Sequence, residues 1–274
     1  MWHMPGHILS RLKRYNDAAW HQEASARVDH AHMMRDRVMP DRIHNFAHNN
    51  EWLTRNLGHA GRVRHGLTMA KNMIDLPRLP SVKTNGTWTV STRGSYTYGK
   101  RHLYGLMTGY ELWDEILVLK DTRYLRPGKA AADKAKYWRL LASAYINTDK
   151  TTESEALLGQ MEKMLAEQQT GKTKAGTTAE AKAKAAKKKA SDVRRDKSNA
   201  ERPFNTAINT LTRGIAETKM YRALAKGDKA AAKTFLAKAS DIRGDRKAML
   251  QFRVGDTEDA LKSASAAVKS GAEQ

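Results

Sequence analysis

The sequence predicts an all-α fold of stacked antiparallel helix pairs, and three observations lead to it. Ala, Leu, Lys, Met and Glu recur throughout the chain, and all favour helix. The chain has only six prolines in 274 residues, and runs of β-branched residues are scarce. A turn-plus-helix unit also repeats. Gly227-Asp228-Lys229-Ala230-Ala231-Ala232 opens an apolar helix bearing Phe235, Leu236 and Ala239, and 28 residues later Gly255-Asp256-Thr257-Glu258-Asp259-Ala260 does the same with Leu261, Ala264 and Ala267. Gly in this position ends one helix with a left-handed cap, Asp starts the next, and Ala lets two helices approach closely.

The same grammar runs through the rest of the chain. Lys13-Arg14-Tyr15-Asn16-Asp17-Ala18 reads as a turn and the start of a second helix. Gly61-Arg62-Val63-Arg64-His65-Gly66-Leu67 repeats it, and Pro77 stops that helix. Leu103 to Leu119 forms a degenerate copy, with Trp113-Asp114-Glu115-Ile116-Leu117 as the second helix. A further copy runs through Trp138, Leu141, Ala142 and Tyr145 to Ala156, Leu157 and Leu158. The predicted organisation is therefore His-rich helix pairs over 1–76, a long irregular connection or short hairpin over 77–99, and central pairs over 100–167. A Lys/Ala-rich insertion follows over 168–200, flexible at Gly171–Thr178 and a solvated helix at Ala179–Asp196, before C-terminal pairs over 201–274.

These units resemble tetratricopeptide repeats. In that family a bulky aromatic, a Leu, a small residue and a Tyr recur at fixed steps on the first helix, with Ala residues on the second. Trp138, Leu141, Ala142 and Tyr145 match the first-helix steps, and Trp2, Gly6 and Leu9 fill most of them in the first unit, with Pro5 in place of the Leu. Gly227, Asp228, Ala232 and Ala239 match the second helix. Met4-Pro5-Gly6-His7-Ile8 and His48-Asn49-Asn50-Glu51-Trp52-Leu53 are similar to segments of a His-rich bacterial tetratricopeptide subfamily. The resemblance covers about two-thirds of the chain and implies a right-handed solenoid with first helices lining a concave face. The spacing departs from a regular period, so no superhelical geometry is carried over.

Composition narrows the function classes. With no Cys there can be no disulfide, iron–sulfur cluster, thiolate zinc site or c-type haem attachment. No run approaches the roughly 18 apolar residues of a spanning helix. The start, Met1-Trp2-His3-Met4-Pro5, lacks a secretory pattern, which favours a cytoplasmic location, or a periplasmic one if a signal precedes it. Both ends of the array look uncapped, so a larger parent protein or an oligomer is expected. The formal charge of +20 can attract nucleic acid, anionic lipid or an acidic protein, and does not choose among them.

All ten histidines lie in the first 102 residues. His3 and His7 are four apart on one predicted helix, as are His44 and His48 on another, so each pair shares a face. Imidazoles at that spacing can chelate a divalent ion, which makes His3, His7, His44 and His48 the metal candidates. The competing reading has the histidines capping helices and packing against aromatics. Met33, Met34, Met39, Met69 and Met73 lie near His30 and His32, but core filling explains them better than copper handling.

Catalytic motifs are missing: no phosphate-binding glycine loop, no Gly-x-Ser-x-Gly and no His-Glu-x-x-His occurs. The expected function is thus a non-catalytic scaffold holding a protein or peptide in a groove lined by His3, His7, Arg11, His48, Glu51, Arg55, Arg139 and Ser143. No cofactor is required by this reading. One alternative is a metal or small-ligand site on the N-terminal histidines, within a larger enzyme or sensor. A second is non-specific nucleic-acid binding through the basic insertion, which lacks the interleaved aromatics that stack on single strands.

Overall fold

The computed structural model describes residues 2–79, 81–82, 88–89 and 93–273. The chain is all-α apart from one short strand pair. The helices are α1 (His3–Arg11), α2 (Tyr15–Asp36), α3 (His44–His59), α4 (Val63–Asp75), α5 (Ser95–Gly109) and α6 (Trp113–Leu119). They continue as α7 (Ala131–Asn147), α8 (Thr151–Ala185), α9 (Ala190–Ala225), α10 (Lys229–Lys238), α11 (Gly244–Arg253) and α12 (Thr257–Glu273). Between α4 and α5, β1 (Ser81–Val82) pairs antiparallel with β2 (Trp88–Thr89). Among the described residues no helix is long and apolar enough to cross a membrane.

One turn design joins most of the helices. Lys13, Gly61, Glu111, Asp149, Lys187, Gly227 and Gly255 all have positive φ, and each sits just past a helix end. In each case the next residue's N–H returns to the last helical turn, as in Arg14 to Leu9, Arg62 to Leu57, Lys150 to Tyr145 and Asp228 to Ala223. This is the Schellman closure, which satisfies carbonyls the helix leaves open. At Asp228 the side chain then accepts from the Ala231 N–H, so one turn ends α9 and starts α10.

The chain divides into two compact units. The first takes in the chain up to Leu112 together with the stretch from Ser265, and the second runs from Trp113 to Ala264. In the first, α4 buries Gly66, Leu67, Ala70, Met73 and Ile74, a stripe of helical period. Glycines allow the close approach here. A Cβ on Gly58 or Gly66 would lie 2.9 Å from a Leu106 methyl, and one on Gly99 would lie 2.7 Å from the Ala70 carbonyl oxygen. The α5 helix thus nests against α3 and α4.

In the second unit α7, α8 and α9 pack around Leu140, Ala144, Leu158, Met161, Leu211 and Met220, all buried. The segment expected to be flexible over Gly171–Thr178 is instead part of α8, which runs unbroken to Ala185 and turns back as α9. The insertion over 168–200 is the outer part of this long hairpin rather than a linker. It has a seam after all, made of size rather than hydropathy. Gly176 and Ala183 are buried, Gly171 lies against the Phe204 ring, and Lys197 pairs with Glu180 at 2.9 Å. Small residues let two helices close where no apolar stripe is visible.

Candidate functional site

The first unit places α1 beside α3, and α3 beside α5. The neighbouring turns of α1 and α3 then present three imidazoles to one another. One ring nitrogen from each of His3, His7 and His48 lies within 4.8 Å of the other two. His3 and His7 approach closest, Nε2 to Nε2, at 2.9 Å. Trp52, one turn beyond His48, sets its ring edge-on to His7 with centroids 4.2 Å apart. All three histidines are half-buried.

The partners of these rings fix their tautomers. Asn49 donates from Nδ2 to Ser25 Oγ and Asp29 Oδ2, each at 2.8 Å, which leaves its Oδ1 as an acceptor facing His3 Nδ1 at 2.6 Å. The His3 proton therefore sits on Nδ1, and its Nε2 lone pair accepts from the His7 Nε2–H at 2.9 Å. His48 Nδ1 lies 3.4 Å from Glu51 Oε2, so this ring faces a carboxylate where His3 faces an amide. Glu51 is held in turn by the Arg101 guanidinium.

Burial favours the neutral form of His7 and His48. Burial, followed by the fields of His3, His48, Arg11 and Arg55, pushes His7 down to about 4. His48 is also lowered, chiefly by burial, against the opposing pull of Glu51. Burial works to raise Glu51, but His102, Arg101 and His48 outweigh it and hold the carboxyl below its ordinary value. At neutral pH His7 and His48 are therefore uncharged.

Of the predicted residues, His3, His7, His48 and Glu51 come together, and Arg11 and Arg55 are exposed on the same helices. The Arg55 guanidinium lies 4.8 Å over the Trp52 ring. His44 stands apart from the other metal candidates. It stacks on His48 at 5.6 Å, but its nitrogens face Arg93, Nδ1 at 3.3 Å from the carbonyl and Nε2 at 2.9 Å from the guanidinium. The placement of Arg139 and Ser143 in an open groove is corrected. Ser143 is 2% exposed, and Arg139 on α7 bonds Glu217 of α9 at 2.7 Å and Asp241, in the turn between α10 and α11, at 2.5 Å and 2.9 Å. Their helix buries the face that a free first helix would have left open.

A second recess lies over α2, α3 and α4, with a volume of about 590 Å³. Its floor is Phe46, Asn50, Leu53 and Leu57 along α3, and Ala19, Ala26 and Met69 form apolar walls. Trp20, Glu23, Arg27, Arg62 and His65 stand exposed at its rim. Reasoning from sequence placed ligand contacts on first helices and missed this second-helix surface. It also missed Asp29 and Ser25, whose four-residue spacing on α2 gains meaning only once α2 is known to face Asn49.

No family model, curated protein or solved structure matches this chain.

Proposed function

We propose that the protein is a non-catalytic binding module of tetratricopeptide-like helix pairs, in which the α2–α3–α4 recess receives an acidic amphipathic helix of another protein. The shape of that recess carries the reading. Its floor residues Phe46, Asn50, Leu53 and Leu57 are spaced four, three and four apart, so they form a single stripe along α3. Eleven residues of helix rise about 16 Å, which matches three turns of an incoming helix laid along the stripe. Apolar residues on one face of that helix would fill the floor and cover Trp20, which is 58% exposed.

Charge selects the polar face of the occupant. Arg27 is paired with Glu23 at 2.6 Å, while the Arg62 guanidinium only meets the His65 ring at 3.2 Å, so the rim carries a surplus of positive charge. The chain as a whole has a formal charge of +20. Such a rim speeds encounter with an acidic partner and rejects a basic one. The nesting of α1 with α3 and of α3 with α5 supports the tetratricopeptide-like arrangement of the pairs.

The test uses a labelled three-turn helical peptide with Leu on one face and Glu on the other, titrated against the full chain. Saturable binding is expected, weakened at least about tenfold by R27E/R62E and by T68W, which fills the recess. Equal binding of a scrambled peptide that has no apolar face would overturn the reading. So would an unchanged affinity in T68W.

A further inference from the structure

We infer that His3, His7 and His48 form a binding site for a single divalent transition-metal ion of the zinc class, built across α1 and α3. This site is separate from the α2–α3–α4 recess and stands whether or not that recess takes a helix.

The inference rests on three geometric features. First, the three nitrogens already converge. In a tetrahedral zinc site with Zn–N near 2.0–2.1 Å, two ligand nitrogens lie about 3.3 Å apart. The His3–His7 pair stands at 2.9 Å, and all three nitrogens fall within 4.8 Å of one another. Small rotations of half-buried rings close the remaining gap. Second, the rings are oriented from behind. The chain of bonds from His3 through Asn49 to Asp29 puts the His3 proton on its outer nitrogen, and His48 Nδ1 sits beside Glu51, so the ion would take the place of the one proton that His7 Nε2 donates to His3 Nε2. A carboxylate or amide behind a ligating imidazole sets its tautomer and raises its basicity. Third, each element is anchored independently of the cluster. Ser10 of α1 donates to Asn56 Oδ1 of α3 at 2.8 Å, and Gly6 faces the Gln22 side chain so closely that a Cβ there would lie 2.4 Å from its nitrogen. The two helices are held together one and two turns away from the ligands.

The ligand set chooses the ion. Three imidazoles without thiolate suit zinc, or copper(II) and cobalt(II), over calcium or magnesium, which need oxygen donors. Glu51 is engaged by Arg101, so the fourth position falls to solvent or an external anion, and the nearby Arg11 and Arg55 favour the anion.

The experiment is a titration of the chelator-treated full chain with zinc followed by calorimetry, and with cobalt followed by visible absorption. One equivalent of each metal is expected to bind, with a d–d spectrum of tetrahedral intensity and a rise in Tm on adding zinc. H3A, H7A and H48A should each abolish the cobalt spectrum, and N49A should weaken zinc about 10–100-fold. H44A and H65A should leave both unchanged. Circular dichroism checks folding, and H7Q replaces H7A if the latter unfolds. Absence of saturable zinc or cobalt binding would overturn the inference. So would retention of the spectrum in a folded H7Q or H48A, or equal loss in H44A or H65A, since scattered surface histidines would then be the ligands.

Discussion

Each unit carries a half-buried polar cluster, and the two are built on opposite principles. In the second unit each carboxylate oxygen of Glu217 meets a guanidinium, Oε2 that of Arg139 and Oε1 that of Arg246, while Asp241 grips Arg139 with both oxygens. Tyr221 closes the network at 3.0 Å from Arg246. Opposite charges engage every carboxylate oxygen of the pair Glu217 and Asp241, and the Arg246 Nε alone of these named groups is buried without a partner. In the first unit the neighbours are alike: three imidazoles, with two arginines adding to the field that disfavours protonation of His7. Hydrogen bonds organise the outer edges of His3 and His48, and inside the cluster one imidazole proton, on His7 Nε2, faces the His3 Nε2 lone pair. A cluster completed by its own charges holds helices together, whereas one with surplus donor atoms is arranged for something external.

The sharpest way to break this comparison is to remove Glu217, whose side chain is 3% exposed. E217A leaves two buried guanidinium groups without their shared carboxylate and should destabilise the protein by about 3–5 kcal/mol in urea unfolding. H48A removes a ring that shares no such charge pair, so in metal-free protein its cost should stay near or below about 1 kcal/mol. Equal costs would mean that the histidine cluster is structural as well.

Acid should also separate the two clusters. Around His7 stand His3, His48, Arg11, Arg55 and the Trp52 ring, and its folded value is pushed down to about 4. The unfolded chain takes up that proton first, so its stabilising share is complete above about pH 6.5 and drains away as pH falls toward 4. Because the ring is partly solvated, about 1–2 kcal/mol is the expected size of that limb. For Asp241, burial is outweighed by Arg139 and Arg213, and the carboxyl is held below its usual value. Its share is therefore present above the unfolded value of about 3.9 and lost only below it. Metal-free protein scanned from pH 7.5 to 3 should show H7Q flattening the upper limb and D241N the lower one. Flattening of the upper limb by D241N would refute the assignment.

What the sequence revealed and what it hid divide along the same physical line. Local chemistry was legible: the Gly227, Gly255 and Gly61 turns lie where the glycine grammar puts them, and Trp138, Leu141, Ala142 and Tyr145 share α7. The His3–His7 and His48 faces were legible too, because four-residue spacing fixes a helix face without further information. Contacts that depend on what a helix faces were not. Arg139 and Ser143 read as groove residues, since nothing in α7 announces that Glu217, 78 positions away, covers Arg139. The α8–α9 hairpin was hidden because Ala and Lys give no hydropathy contrast, while its packing depends on the smallness of Gly176 and Ala183. The recess over α2, α3 and α4 was hidden because it belongs to three helices at once.

The smallest expected effect uses what the two units share, their left-handed turns. A Cβ at Gly61 in the first unit or Gly227 in the second would meet no atom within 4 Å, so only the positive φ opposes a side chain there. G61A and G227A should each cost about 1 kcal/mol from backbone strain alone. Lys13 and Glu111 already bear that strain at φ of 59° and 50°, and K13G or E111G should recover part of it, about 0.5 kcal/mol after the added freedom of the unfolded chain. Because the turn is the same in both units, G61A and G227A should be alike in urea unfolding, unlike E217A and H48A. A large difference between the two glycine variants would show that the units themselves differ in stability. The contrast between the polar clusters would then have to be measured within each unit separately.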